Sequence, residues 1–145
     1  MKNVKIITFF LFIIISFLSC NLNNKLPREN YKVEDDVEMD KAIETAKKTL
    51  DSFDYAFKNY NGVFMFGLKK RFVENENVED IWLTNIKFEN GNYFGILNEP
   101  YKIKNVKAGD RIQIGKKDIC DWMFIKNSQV HGGYTIEIFL KNSTK

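Results

Sequence analysis

Cys120, Asp121 and His131 are the residues in this chain whose types could support covalent chemistry. A thiol is a weak nucleophile until a neighbouring base takes its proton, and a carboxylate can orient that base. His131 is the single histidine of the 145 residues. The flanking residues argue the other way. Cys120 sits between Ile119 and Asp121-Trp122, which reads as a small buried hydrophobe. No oxyanion donor can be argued from the surrounding residues. His131 then reads as a loop imidazole. One histidine and one free cysteine cannot supply a structural zinc set, so no metal or cofactor is expected. Glu99 and Asp110 could pair as acid and base, but Asp110 after Gly109 is ordinary turn chemistry. The chain therefore leans away from an enzyme.

Recognition is the alternative chemistry. Trp82 and Trp122 are the two tryptophans, and each can bury roughly 200 Å² while its indole N–H still needs an acceptor. Both read as core pieces between a helix and a sheet, or as walls of an exposed groove, where tryptophan is a favoured anchor. Gly132-Gly133 reads as a turn with positive φ, or as a place where a partner approaches the main chain. Trp82, Trp122, Gly132, Gly133 and Tyr134 together form the candidate binding surface.

The first residues carry an address. Lys2 and Lys5 precede the uncharged apolar run Ile6 to Leu18, and Ser19-Cys20 closes it. Basic start, apolar run and small residue form a secretory signal pattern. Cysteine directly after the small residue makes it resemble a bacterial lipoprotein signal, with Cys20 the lipidated residue; the alternative is an ordinary signal peptide with an incidental cysteine. Phe17 departs from the strict pattern, which has leucine there. The run is shorter than the roughly 20 residues a membrane span needs. Several acyl chains on Cys20 would hold the protein on a membrane face, each buried methylene contributing about 0.8 kcal/mol. Asn21 follows the cysteine instead of aspartate, which favours the outer over the inner membrane in a Gram-negative envelope. The expected organisation is a signal peptide over 1–19, a flexible tether over 20–36 and one domain over 37–142. The tether is polar and contains Pro27.

Charge excludes one large class of partner. The net charge of +3 includes Lys2 and Lys5, so the mature part is close to neutral. Nucleic-acid binding needs a concentrated basic surface. Lys69-Lys70-Arg71 is a basic triplet, but alternate strand residues face opposite sides, and it reads as a solvated sheet edge.

These residues must be positioned by the elements around them. Met39, Ala42, Ile43, Ala46, Leu50, Phe53 and Phe57 recur at steps of three and four, predicting one amphipathic helix. Asp35 with Glu38, or Asp40, would cap its start, and Asn59 to Gly62 would stop it. From Val63 the period becomes two. Phe64, Phe66 and Leu68 predict a strand, and Glu74 to Glu79 a loop. Asp80 to Phe88 predicts a strand with Trp82, Thr84, Ile86 and Phe88 on one face. Asn90-Gly91 predicts a tight hairpin into Tyr93 to Leu97. Asn98-Glu99-Pro100 breaks that strand, and Ala108-Gly109-Asp110 turns into Arg111 to Ile114. Lys116 to Cys120 reads as one helical turn. Trp122 to Ile125 and Tyr134 to Leu140 complete the strands, joined by a loop holding Asn127-Ser128 and Gly132-Gly133. The fold class is α+β, with an N-terminal amphipathic helix on a curled antiparallel sheet of five or six short strands.

Three segments, in this order and spacing, resemble the YegJ-like family of bacterial proteins, domain of unknown function 2314. They are Asp80-Ile81-Trp82-Leu83-Thr84-Asn85, then Asn98-Glu99-Pro100 with Val106-Lys107-Ala108-Gly109-Asp110, then Asp121-Trp122-Met123 with Gly132-Gly133-Tyr134-Thr135. The resemblance spans about Ala42 to Leu140. It implies a small α+β domain, often secreted or lipid-anchored, and no known reaction, ligand or cofactor. The family pattern has serine where this chain has Cys120, so a cysteine nucleophile is not implied. The expected function is a lipid-anchored, non-enzymatic binding module of the bacterial envelope with an envelope protein as partner. The alternatives are an immunity-type inhibitor using the acidic Glu74 to Asp80 segment, and a Cys120/His131 enzyme.

Overall fold

The computed structural model describes residues 37–143. The signal peptide, Cys20, the tether and the Asp35 cap lie outside them. No helix among the described residues is long and apolar enough to cross a membrane.

The predicted N-terminal helix is present but broken in two. Helix α1 spans Val37–Lys48 and α2 spans Leu50–Asn59. Thr49 is the break: its hydroxyl donates to the Thr45 carbonyl at 2.8 Å and lies 3.2 Å from the Tyr134 hydroxyl. A threonine bonding back to the preceding turn bends a helix. Both halves keep the predicted apolar stripe, with Ala42, Ile43, Ala46, Leu50 and Phe53 buried.

Six antiparallel strands follow. They are β1 Val63–Glu74, β2 Asn77–Glu89, β3 Asn92–Leu97, β4 Arg111–Ile114, β5 Ile119–Lys126 and β6 Gln129–Gly132, with a 3-10 turn at Lys116–Asp118. The order across the sheet is β4-β3-β2-β1-β5-β6, which is open. The strands are not all short: β1 and β2 have 12 and 13 residues. The predicted loop at 74–79 is instead a tight hairpin, in which Asn75 takes φ +53°. Asn90 and Gly91 turn with φ +50° and +80°, as an Asn-Gly hairpin requires.

Two predicted faces switch sides part-way. A register shift between Val63 and Met65 turns Phe64 outward, 60% exposed, while Phe66 and Leu68 face the core. In β2, Ile81 and Leu83 face α2 and Trp82 faces away, as expected. Asn85 then takes φ +50°, and Ile86 returns to the α2 side instead of sharing the Trp82 face. Such bulges bend a strand and re-aim its side chains.

One further break shapes the sheet. Pairing of β1 with β2 runs from Glu74↔Asn77 to Leu68↔Leu83 and stops. Beyond it, among the described residues, 63–67 pair only with β5 and 84–89 only with β3. The sheet is split at this end.

The last predicted strand is a helix. Tyr134–Ser143 forms α3, and the last strand, β6, is the preceding segment. Thr135, Ile136 and Ile138 are β-branched and favour a strand locally. The decision is tertiary: Asp121 in β5 accepts the Thr135 backbone N–H at 2.8 Å, capping the first turn from a distant strand.

Candidate functional site

The larger core lies between α2 and the sheet. Phe53 packs edge-on to Phe66 and Tyr93 and tilts against Trp122. Trp122 is 3% exposed, and its Nε1–H donates to the Ala46 carbonyl at 3.0 Å. This indole is therefore fixed, and only its margin lines a surface.

That surface is a groove of about 540 Å³ between α2 and the β5–β6 hairpin. Tyr55, Tyr60, Trp122, Phe124, His131 and Tyr134 supply aromatic walls, and Asp51 and Ser52 lie on the α2 side. The rings brace one another. His131 stacks on Phe124 at 4.6 Å, and Tyr60 meets Phe124 edge-on at 5.9 Å. Tyr55 meets Tyr60 edge-on, and Tyr134 meets Trp122 edge-on. Lys126 holds its ammonium 4.1 Å from the Tyr60 ring centre, a cation–π contact. Tyr55 is 60% exposed, so it offers area without being needed by the core.

The glycine pair makes the hairpin fit. A Cβ on Gly132 would stand 2.2 Å from the Trp122 carbonyl oxygen and 2.6 Å from its ring, and φ there is +73°. Gly133 donates its N–H to the same carbonyl at 2.8 Å. The group that approaches this main chain is the chain's own tryptophan. Gly132, Trp122 and Tyr134 thus share the groove, while Trp82 lies on the opposite face of the sheet.

That opposite face holds a buried polar cluster. Across β2, β1 and β5 the residues Trp82, Lys69 and Asp121 stand in register. Asp121 accepts hydrogen bonds from the Thr135 hydroxyl at 2.7 Å and the Trp122 N–H at 2.8 Å. Lys69 donates to the Thr135 hydroxyl at 3.1 Å and lies 5.6 Å from the Trp82 ring centre. Burial pushes the Asp121 carboxyl up from its ordinary range, and these hydrogen bonds only partly offset it. Lys69 is 1% exposed, which corrects the solvated-edge reading of the basic triplet. β1 is interior to the sheet. Lys70 reaches Asp118 and the Gln113 carbonyl, and Arg71 pairs with Asp80 through two 2.8 Å bonds.

Cys120 and His131 are not brought together. Cys120 is buried, its sulfur faces the Lys69 carbonyl at 3.3 Å, and burial pushes its thiol far up. A protonated, enclosed thiol is a poor nucleophile. His131 pairs in register with Phe124, further along β5, and Asp121 points to the other face. Among the described residues no cluster of His, Cys, Asp and Glu could hold a metal. The acidic segment is also used internally. Glu79 accepts the backbone N–H groups of Tyr101, Lys102 and Ile103, and Glu74 accepts that of Lys104. These carboxylates pin the segment after Pro100 to the β1–β2 hairpin.

The family model described as "Uncharacterized protein conserved in bacteria (DUF2314)" matches residues 36–145. The chain belongs to this family. It is 34% identical over 103 residues to "Uncharacterized protein YegJ" of Escherichia coli (strain K12), covering 70% of this chain and 67% of that one. It is 37% identical over 65 residues to a putative ankyrin repeat protein of Neisseria meningitidis serogroup B, covering 44% of this chain and 26% of that relative. No solved structure gives a significant match. Within this family member, Tyr55, Tyr60 and Asp51 were missed by the sequence reading. Their one sequence signal is position: Asp51 and Tyr55 lie on the polar side of an amphipathic helix, and Tyr60 directly follows its last residue.

Proposed function

We propose that this protein is a lipid-anchored binding module of the bacterial envelope, and that the aromatic groove between α2 and the β5–β6 hairpin is its binding site. The groove carries the proposal. It sets braced aromatic faces beside the polar groups of Asp51, Ser52, His131 and the tyrosine hydroxyls, so rings can supply contact area while those groups orient a ligand. Tyrosine supplies contact area at low entropy cost. The partner is an envelope protein.

The anchor is Cys20, and the outer membrane is favoured in a Gram-negative cell because Asn21 follows it. Cys20→Ser is expected to abolish incorporation of an alkyne-tagged palmitate and to move the protein out of the membrane fraction. Retention in membranes with no loss of label would overturn the anchor. For the groove, crosslinked capture from native membranes is compared between the parent chain and Tyr55→Ala/Tyr60→Ala. One reproducible partner that is lost in the variant supports the site. A partner captured equally by both contradicts it.

An immunity-type inhibitor is the second reading, motivated by the acidic Glu74 to Asp80 segment. It ranks lower because Glu74, Glu79 and Asp80 already bond to groups of their own chain.

A further inference from the structure

The split in the sheet is a second feature, separate from the aromatic groove. Its walls are residues 63–66 of β1 and 84–86 of β2, enclosing about 360 Å³. Among the described residues, each wall is a strand paired on its outer side alone, by β5 and by β3. Along the cleft, neither wall pairs with the other. Backbone N–H and C=O groups require partners, and a strand flank without a ladder is a template for another extended chain.

The break has a local cause. Asn85 adopts φ +50°, and the β2–β3 register shifts between Thr84 and Lys87. β2 therefore bends away from β1 just past Leu83. Gly95 lets β2 lean onto β3, since a Cβ there would stand 2.8 Å from Ile86 and Leu83 side chains. The bend is held by packing, so the cleft is built into the fold.

We propose that this cleft accepts an extended segment of a partner protein as an added strand, bonded to the flanks of β1 and β2. The lining settles the chemistry of that segment. It comprises Val63, Phe64, Met65, Phe66, Thr84 and Ile86 with the Asn85 amide, and no charged residue. Phe64 stands exposed at the rim, where the register shift turns it outward. The segment is therefore uncharged, with apolar or β-branched residues at alternate positions. Main-chain bonds supply affinity and the alternate side chains supply selectivity.

The test pans a displayed library of random linear peptides against the full chain in detergent micelles, then follows backbone amide exchange. Enriched peptides are expected to be uncharged and alternating, and to slow exchange within both 63–67 and 84–88 by about tenfold or more. N-methylation of alternate peptide residues, in either phase, and Phe64→Glu each weaken binding about tenfold, because successive residues of an added strand bond opposite walls. Circular dichroism first confirms that Phe64→Glu is folded. Tyr55→Ala leaves this binding unchanged, which separates the cleft from the groove. The proposal falls if no peptide protects both walls, if either N-methylated series keeps its affinity, or if a second copy of the chain fills the cleft.

Discussion

The two tryptophans stand on opposite faces of one sheet, and the faces solve burial differently. Trp122 lies in an aromatic core under α2, with its N–H bonded to Ala46. Trp82 is equally buried at 3%, beside Lys69, and its N–H has no partner among the described residues. One face is stabilised by apolar area and ring packing. The other is specified by a polar cluster in which Asp121, Thr135 and Lys69 satisfy one another. Loss of a ring should dominate on the first face, and loss of a charge on the second.

The largest effect is expected at Trp122. Trp122→Ala removes the ring that Phe53, Phe124 and Tyr134 pack against and should cost about 3–5 kcal/mol in urea unfolding. A cost near 1 kcal/mol would mean that the core closes over the gap and that the two faces are not distinct. Next comes Asp121→Ala, which removes the carboxylate beside buried Lys69 and the cap of α3, at about 3 kcal/mol. Lys69→Met with Asp121→Asn should recover much of that loss, because no ionised group then stays in the cluster. Equal losses in the single and double variants would contradict this, since asparagine can still accept the Thr135 N–H and no charge would be stranded.

The faces should also titrate in opposite directions. Burial acts on Asp54 too, but hydrogen bonds from Lys116 and Tyr93 and the charges of Lys116 and Lys58 outweigh it, so its carboxyl is held low. Its contribution is present above the unfolded value and is lost as pH falls below about 4. Asp121 is raised, so its contribution is full below the unfolded value and is lost as pH rises from about 4. Asp54→Asn should flatten the acid limb of stability against pH, and Asp121→Asn the limb above it. Urea midpoints across pH decide this, and identical profiles in both variants would break the contrast. The smallest effect belongs to Trp82→Phe. It removes an N–H that has no acceptor among the described residues, so the change should stay within about 1 kcal/mol despite the lost area.

Local patterns made much of the fold legible. The 3.6-residue stripe of α1 and α2, the Asn90-Gly91 hairpin and the turn before β4 all follow from nearest neighbours. What escaped was decided across the fold. The Tyr134 segment alternates well enough for a strand, and becomes a helix because Asp121 caps it from β5. Thr49 looks like an ordinary helix residue until it lies beside Trp122 and Tyr134. Lys69 looks solvated until β1 proves to be interior and Asp121 and Thr135 close over it. The candidate surface was legible in part. Trp122, Gly132 and Tyr134 come together, but the exposed area around them belongs to Tyr55 and Tyr60, and Trp82 sits behind the sheet.

The most direct test of the groove as the binding site is site-specific photo-crosslinking in native membranes. A photoreactive residue replaces Tyr55 in one strain and Val73, exposed on the β1–β2 hairpin, in another. A discrete protein adduct from position 55 and none from position 73 is the predicted result. Adducts at both positions, or at 73 alone, would contradict the groove.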